Sequence, residues 1–149
     1  MPGGSARTFL LVRSLQLEIF HCMVEALGPF RLTPAQYMVL SLASNHGQLS
    51  TAELARRFQI APQSMNQTVA SLLRKGVISR RESPAHRRIL HIELTPQGRK
   101  LLRQCDAVID RVERRAFKSL ELEELEAFRR TIQKALPASA NSANSTPRN

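Results

Sequence analysis

The sequence predicts a mainly α-helical fold with a small β-wing, an α+β arrangement whose middle is flanked by long helices at both ends. Three observations predict it. Apolar residues recur at helical spacing near both termini. A short helix, a tight turn and a longer helix stand together in the middle. Directly after Gly76 the apolar period shortens to two. The length, 149 residues, suits one ordinary domain rather than two.

Near the N-terminus, Leu10, Leu17 and Val24 repeat at sevens, with Phe20 and Leu27 between them, which predicts a helix burying one stripe. Gly28-Pro29 ends it. Thr33-Pro34-Ala35-Gln36 offers an N-cap hydroxyl, Pro at the first helical position and Gln where a capping box needs it, so a second helix runs to about Ser44. Asn45-His46-Gly47 stops that helix. Ser50-Thr51-Ala52-Glu53 is another capping box and opens a short helix to about Phe58. After Gln59-Ile60-Ala61, Pro62 starts a helix that Gly76 terminates.

Val77 to Arg80 then reads as a strand, Ser83-Pro84-Ala85-His86 as a turn, and Leu90, Ile92 and Leu94 as the inner face of a second strand. Arg87 and Arg88 fall at the hairpin tip. Thr95-Pro96 caps a long helix through Leu101, Cys105, Val108 and Val112, and a last helix carries Leu122, Leu125, Phe128, Ile132 and Leu136. The expected division is an N-terminal helix over 1–31, a winged helix-turn-helix over 32–98, C-terminal helices over 99–136 and a disordered tail over 137–149.

Charge gives the first functional direction. The formal net charge is +10, and Arg supplies 18 of the 22 basic residues. Eleven of those basic residues lie between Ser50 and Arg103, opposed only by Glu53, Glu82 and Glu93. The middle segment is therefore suited to a polyanion. Cys22 and Cys105 are too few and too far apart for a disulfide framework or a zinc site, and His21, His46, His86 and His91 form no ligand spacing, so no metal or other cofactor is expected. Leu32–Ala52, the longest run without Asp, Glu, Lys or Arg, contains Pro34, Gln36, Asn45, His46 and Gln48 and cannot span a bilayer. Met-Pro-Gly-Gly-Ser-Ala at the start lacks the basic and apolar regions of a secretion signal, and a reduced, cytoplasmic setting is expected. None of the common catalytic motifs is present, and the carboxylates of Glu121, Glu123, Glu124 and Glu126 suit a helix start better than acid–base work, so no enzyme is expected.

On a helical wheel, Met65, Val69, Leu72 and Leu73 share the inner face of the 62–75 helix. Gln63, Gln67, Ala70, Ser71 and Arg74 lie opposite, with Ser64 and Asn66 on the flanks. Amide and hydroxyl side chains can bond base edges in a major groove, and a helix N-terminus attracts phosphate. The candidate contacts are Gln63, Ser64, Asn66, Gln67 and Ser71 toward bases and Arg74 toward phosphate. The plainer alternative is a solvated polar face. A guanidinium at the hairpin tip, from Arg87 or Arg88, suits the negative potential of a narrow A·T-rich minor groove.

From Leu32 to Gly98 the chain resembles the multiple antibiotic resistance regulator (MarR) family of bacterial transcription factors. Leu32-Thr33-Pro34-Ala35-Gln36, Leu54-Ala55, Leu72 through Gly76-Val77-Ile78, Arg80, Arg87-Arg88 and Leu94-Thr95-Pro96-Gln97-Gly98 carry the likeness, and the flanking helices fit it too. The resemblance implies dimerisation through the terminal helices. The apolar stripes suggest the same on mechanical grounds, since one short chain offers them too few partners. It also implies that the wing arginine at Arg88 enters the minor groove and that Arg80 lies near the backbone. His86 stands where the family has Asp, and Ser83 at an upstream acidic position, which implies a looser wing.

Some relatives sense oxidants through a cysteine early in the first helix. Cys22 lies late in it, so a buried structural thiol is the expected role. Many relatives bind small aromatic acids between the winged domain and the dimer helices. Arg13, Phe20, Phe30, Tyr37, Met38 and His46 are the candidate lining, although each also reads as ordinary core. The expected function is a homodimeric, sequence-specific regulator of transcription, a repressor by preference. It would bind pseudo-palindromic double-stranded DNA and be released by a small aromatic effector. A non-specific architectural DNA-binding protein and a winged-helix protein-interaction module are the alternatives.

Overall fold

A computed structural model describes residues 7–137. Six α-helices and a three-stranded antiparallel sheet follow one another as α1 (Thr8–Leu27), α2 (Pro34–His46), β1 (Leu49–Ser50), α3 (Thr51–Phe58), α4 (Pro62–Arg74), β2 (Ile78–Glu82), β3 (Leu90–Leu94), α5 (Pro96–Ala116) and α6 (Leu122–Ala135). A 3-10 turn, Gly28–Phe30, separates α1 from α2. Residues 138–149, where a disordered tail was expected, lie outside the described residues.

The starts of the middle helices follow from local chemistry. Thr33 Oγ1 accepts from the Gln36 N–H at 3.2 Å while Gln36 Oε1 accepts from the Thr33 N–H at 3.0 Å. Ser50 and Glu53 repeat the arrangement at α3, and Thr95 Oγ1 accepts from the Gly98 N–H at 3.0 Å at the start of α5. Each cap satisfies amides that the helix itself leaves unpaired. α4 differs. Ala61 provides no side-chain cap, and Pro62 merely removes one donor from the first turn.

The core lies where α2, α3, α4, β3 and the first half of α5 meet. Val39, Leu40, Leu54, Met65, Val69, Leu72, Ile92 and Cys105 are all fully buried there. The expected inner face of α4 is the one that packs inward, at Met65, Val69 and Leu72. Truncating any one of its large side chains to Ala costs roughly 2–5 kcal/mol.

The expected two-stranded wing is instead part of a sheet of order β1-β3-β2. Leu49 pairs with Ile92 and Ser50 with His91, tying the wing to the α2–α3 link. Two residues are too short a run for a strand period to show in sequence.

The terminal helices, whose stripes were expected to find too few partners within one chain, bury little of them in the protomer. Within the protomer α1 buries only Leu27, while Leu10, Leu17, Phe20 and Val24 stay exposed, and α6 buries no residue at all. Phe117 and Phe128 pack ring against ring at 5.8 Å between centroids, and Arg129 pairs with Glu113 at 2.7 Å, joining α6 to α5. The outer apolar faces of both helices have no cover from the described residues.

Candidate nucleic-acid interface

α3, the Gln59-Ile60-Ala61 turn and α4 form the helix-turn-helix. Gln59 adopts a left-handed conformation, φ 53°, and its N–H closes the end of α3 on Ala55 and Arg56 carbonyls. The bend directs the outer face of α4 to solvent. Gln63, Ser64, Asn66, Gln67 and Arg74 are exposed on it. The first-turn amides of Gln63 and Ser64 have no partner among the described residues, so the N-terminal end of α4 presents free N–H groups.

Ser71 is placed differently from the other candidates. It is half-buried, and its Oγ accepts from Gln36 Nε2 at 3.0 Å. A wheel drawn for α4 alone cannot register a partner thirty-five residues away in sequence.

Arg80 is exposed on β2, on the same face as Ile78 and opposite Ile92, and Arg87 and Arg88 are exposed in the loop joining β2 to β3. The side chains of Arg74, Arg80, Arg87 and Arg88 make no hydrogen bond or ion pair among the described residues. Their charge is not consumed internally. The one wing ion pair, Arg81–Glu93 at 3.4 Å, is solvent-exposed and contributes little to stability.

The wing tip is closed despite lacking the acidic residues of its relatives. The Ser83 N–H donates to the Ile89 carbonyl and the Ile89 N–H to the His86 carbonyl, both at 2.9 Å. Ser83 itself is buried, a site where a carboxylate would be costly. Backbone bonds here do the ordering that an acid–arginine contact would otherwise do.

A cleft of about 670 Å³ lies between α3, α4 and the wing, and Asn66, Arg80, Arg88, Arg56 and His91 line it with Glu53. It brings together three residues singled out from sequence and adds Arg56. The signal for Arg56 was its place in the basic middle segment; its neighbour Arg57 is half-buried and does not line the cleft. Glu53 is the acidic exception. Its carboxylate is held below the ordinary 4.5, chiefly by the Ser50 backbone N–H, which donates to it at 2.6 Å.

The six residues expected to line an effector site are spread along α1, the 3-10 turn and α2. Arg13 bonds Gln16 on the same exposed face at 3.3 Å, Phe20 and Met38 are exposed, and Phe30 packs against the core. Tyr37 donates its hydroxyl to Asp106 Oδ1 at 2.8 Å, and burial together with that carboxylate pushes its ionisation far above the ordinary range. His46 is half-buried with Nε2 unpartnered among the described residues. None of the six lines the cationic cleft, or the apolar cleft of about 220 Å³ that Ile19, Met23, Ile109, Val112 and Phe117 form between α1 and α5.

Cys105 is fully buried, and burial, then Asp106, pushes its thiol up to about 11, an unreactive state. Cys22 is half-buried and lies 3.9 Å from Glu18 Oε1. Among the described residues no group of three or more His, Cys, Asp or Glu could hold a metal ion, and no helix is long and apolar enough to cross a membrane.

A helix-turn-helix beside an arginine-tipped wing, with long helices on either side, defines the class: a winged helix-turn-helix regulator of transcription, with no enzymatic role. The chain belongs to the MarR family. The family profile described as MarR family matches residues 32–89. The HTH-type transcriptional repressor Rv2887 of Mycobacterium tuberculosis is 33% identical over 109 residues, which is 73% of this chain and 78% of that protein. The crystal structure of Rv2887 in complex with DNA superposes with TM-score 0.76 at 26% identity, covering 89% of this chain and 100% of that one. Its complex with salicylic acid gives TM-score 0.74 at 28% identity, covering 89% and 98%. Apo MarR from E. coli has TM-score 0.76 at 21% identity, covering 89% and 99%, and shares the fold.

Proposed function

We propose that the protein is a homodimeric repressor that binds a pseudo-palindromic operator. Each protomer would lay α4 in a major groove, with Gln63, Ser64, Asn66 and Gln67 at base edges and Arg74 at phosphate. Each wing would reach the flanking minor groove through Arg88, with Arg80 and Arg87 along the backbone. The observation that carries this reading is the set of unpaired arginines standing beside the polar outer face of α4. An exposed cation with no internal partner is available for phosphate, and amides beside it are available for bases.

Dimerisation is supported by the uncovered faces of α1 and α6, where Phe9, Val12 and Leu122 are 63%, 60% and 71% exposed. A stable monomer rarely leaves so many large apolar side chains exposed. Two-fold pairing through these helices would set the two α4 helices about one DNA turn, roughly 10 bp, apart. Residues 1–31 and 99–136 would then serve assembly and 32–98 the DNA.

The effector part of the reading, a small aromatic acid acting in the cytoplasm of a bacterium, is supported by the salicylic acid complex of Rv2887. The candidate lining, Arg13, Phe20, Phe30, Tyr37, Met38 and His46, is part of that proposal and rests on the resemblance alone.

The test is a footprint of the purified protein on the DNA flanking its own gene at two salt concentrations. A discrete protected palindrome that survives moderate salt is expected. Protection spread along the DNA and lost with non-specific binding would replace this reading with an architectural one. Adding salicylate to the footprint tests release by an effector.

A further inference from the structure

α2 begins with two adjacent side chains that grip different parts of the molecule. Successive residues on a helix point about 100° apart, so Gln36 and Tyr37 address different neighbours. Gln36 is 8% exposed and faces α4. Tyr37 faces α5, where its hydroxyl meets Asp106.

Every polar group of the Gln36 amide is used. Oε1 accepts from the Thr33 N–H at 3.0 Å and from Lys75 Nζ at 3.2 Å, and Nε2 donates to Ser71 Oγ at 3.0 Å. Thr33 N–H and an ammonium can only donate, which fixes the amide orientation and leaves Nε2 for Ser71. Lys75 also donates to the Arg31 carbonyl. The Thr33 bond belongs to the cap of α2, and the other two bonds of Gln36 reach Ser71 in the last turn of α4 and Lys75 just after it. The opposite end of α4, at Gln63 and Ser64, is free of such ties. Met65, Val69 and Leu72 pack the inner face of the helix along its length, but the side-chain hydrogen bonds that fix it on α2 lie at its C-terminal turn alone.

We infer that Gln36 is a positioning residue for base recognition: it seats the C-terminal turn of α4 on α2, while Tyr37 seats α2 on α5. The inference rests on the reading of α4 as the base-contacting helix. A small rotation about the fastened turn displaces Gln63 and Ser64 most, since they lie farthest from it. Base contacts demand that geometry, whereas phosphate contacts tolerate a shift. Losing the seat therefore lowers discrimination between sequences before it lowers overall affinity for DNA.

The test compares Gln36→Leu, Gln36→Glu and Tyr37→Phe with the full-length wild type. It uses affinity for the operator against a scrambled duplex, together with hydrogen exchange of peptides covering α2, α4 and α5. Gln36→Leu keeps the volume and removes every bond. It is expected to lower the operator-to-scrambled ratio roughly tenfold while holding scrambled-duplex affinity within about twofold. Exchange should quicken in the last turn of α4 and not in α5. Gln36→Glu still accepts from Thr33 and Lys75, and the Ser71 hydroxyl can turn to donate to it, so its ratio should stay within about twofold of wild type. Tyr37→Phe should quicken exchange where α2 meets α5 and leave the last turn of α4 unchanged.

Equal losses on both duplexes, uniformly faster exchange, or a Gln36→Glu ratio as low as that of Gln36→Leu would overturn the inference. So would Tyr37→Phe loosening α4. If Gln36→Leu does not fold, the double variant Ser71→Ala with Lys75→Met removes both bonds between Gln36 and the end of α4 while keeping the Thr33 cap, and decides the matter. A wild type with no discrete operator would defeat the reading of α4 as base-contacting, and the exchange pattern would still decide the seat.

Discussion

Gly98, in the first turn of α5, lies directly against the backbone of Val77: a Cβ built on Gly98 would stand 1.8 Å from the Val77 carbonyl oxygen. That same oxygen accepts from the Thr95 N–H at 3.1 Å, and Thr95 Oγ1 accepts from the Gly98 N–H. The start of α5 and the residue before β2 are therefore joined through one carbonyl. The Thr95-Pro96-Gln97-Gly98 run has a steric cause, since only a residue without a side chain fits there.

Gly98→Ala is accordingly expected to destabilise the fold by about 3 kcal/mol, as over-packing against backbone outweighs the roughly 1 kcal/mol that Ala gains in a helix. Urea unfolding measures it. A loss below about 1 kcal/mol would mean that α5 can slide away from Val77 at little cost.

Gln67 is exposed in the middle of the outer face of α4. Gln67→Ala should cost roughly 1–3 kcal/mol on the operator and little on random duplex, measured by titration at fixed salt. Equal losses on the two would show that Gln67 does not read bases.

Arg88 is exposed at the wing and reaches the cationic cleft. Arg88→Ala should weaken binding most where the flank is A·T-rich and lower the slope of log affinity against log salt by about 1. An unchanged slope on such a flank would remove Arg88 from the DNA contact.

Glu53 gives a pH dependence whose sign is fixed by the direction of its shift. Its folded-state ionisation lies below the ordinary 4.5. Between the two values the unfolded chain holds more protons, so the stabilisation is complete above about 4.5 and disappears as pH falls through the folded value. Wild type should lose more Tm than Glu53→Gln on acidification from neutral pH into that window. Parallel curves would show that the Ser50 N–H does not favour the carboxylate.

Leu122 is 71% exposed and helps no core within the protomer. Leu122→Glu should leave the protomer folded, as judged by circular dichroism, while shifting the protein toward monomer in analytical ultracentrifugation. An unaltered dimer would place the contact elsewhere than on α6.

Local chemistry was the readable part of this sequence. Thr33 with Gln36, Ser50 with Glu53 and Thr95 with Gly98 are caps that act across three residues, so type and spacing suffice to find them. The inner face of α4 was readable for the same reason, through its period. What stayed hidden depends on partners far away in sequence. Ser71 belongs to Gln36, β1 exists only because β3 pairs with it, and the Gly98–Val77 contact needs the wing to fold back on α5. The stripes of α1 and α6 announce that apolar surface must be covered but not by which molecule. The arginines of the candidate site were visible as charge, while Arg56 joined them only when α3 was set beside the wing.

The bare start of α4 has a consequence for how the protein meets its target. α2, α3 and α5 each complete their first turn with a side chain of their own, whereas Ala61 gives α4 nothing. In the free protein, water must serve the amides of Gln63 and Ser64. If α4 meets DNA as proposed, a phosphate oxygen would take the place of that water. The capping that the other helices draw from their own side chains would then come to α4 from its target, and part of the binding free energy would be capping free energy.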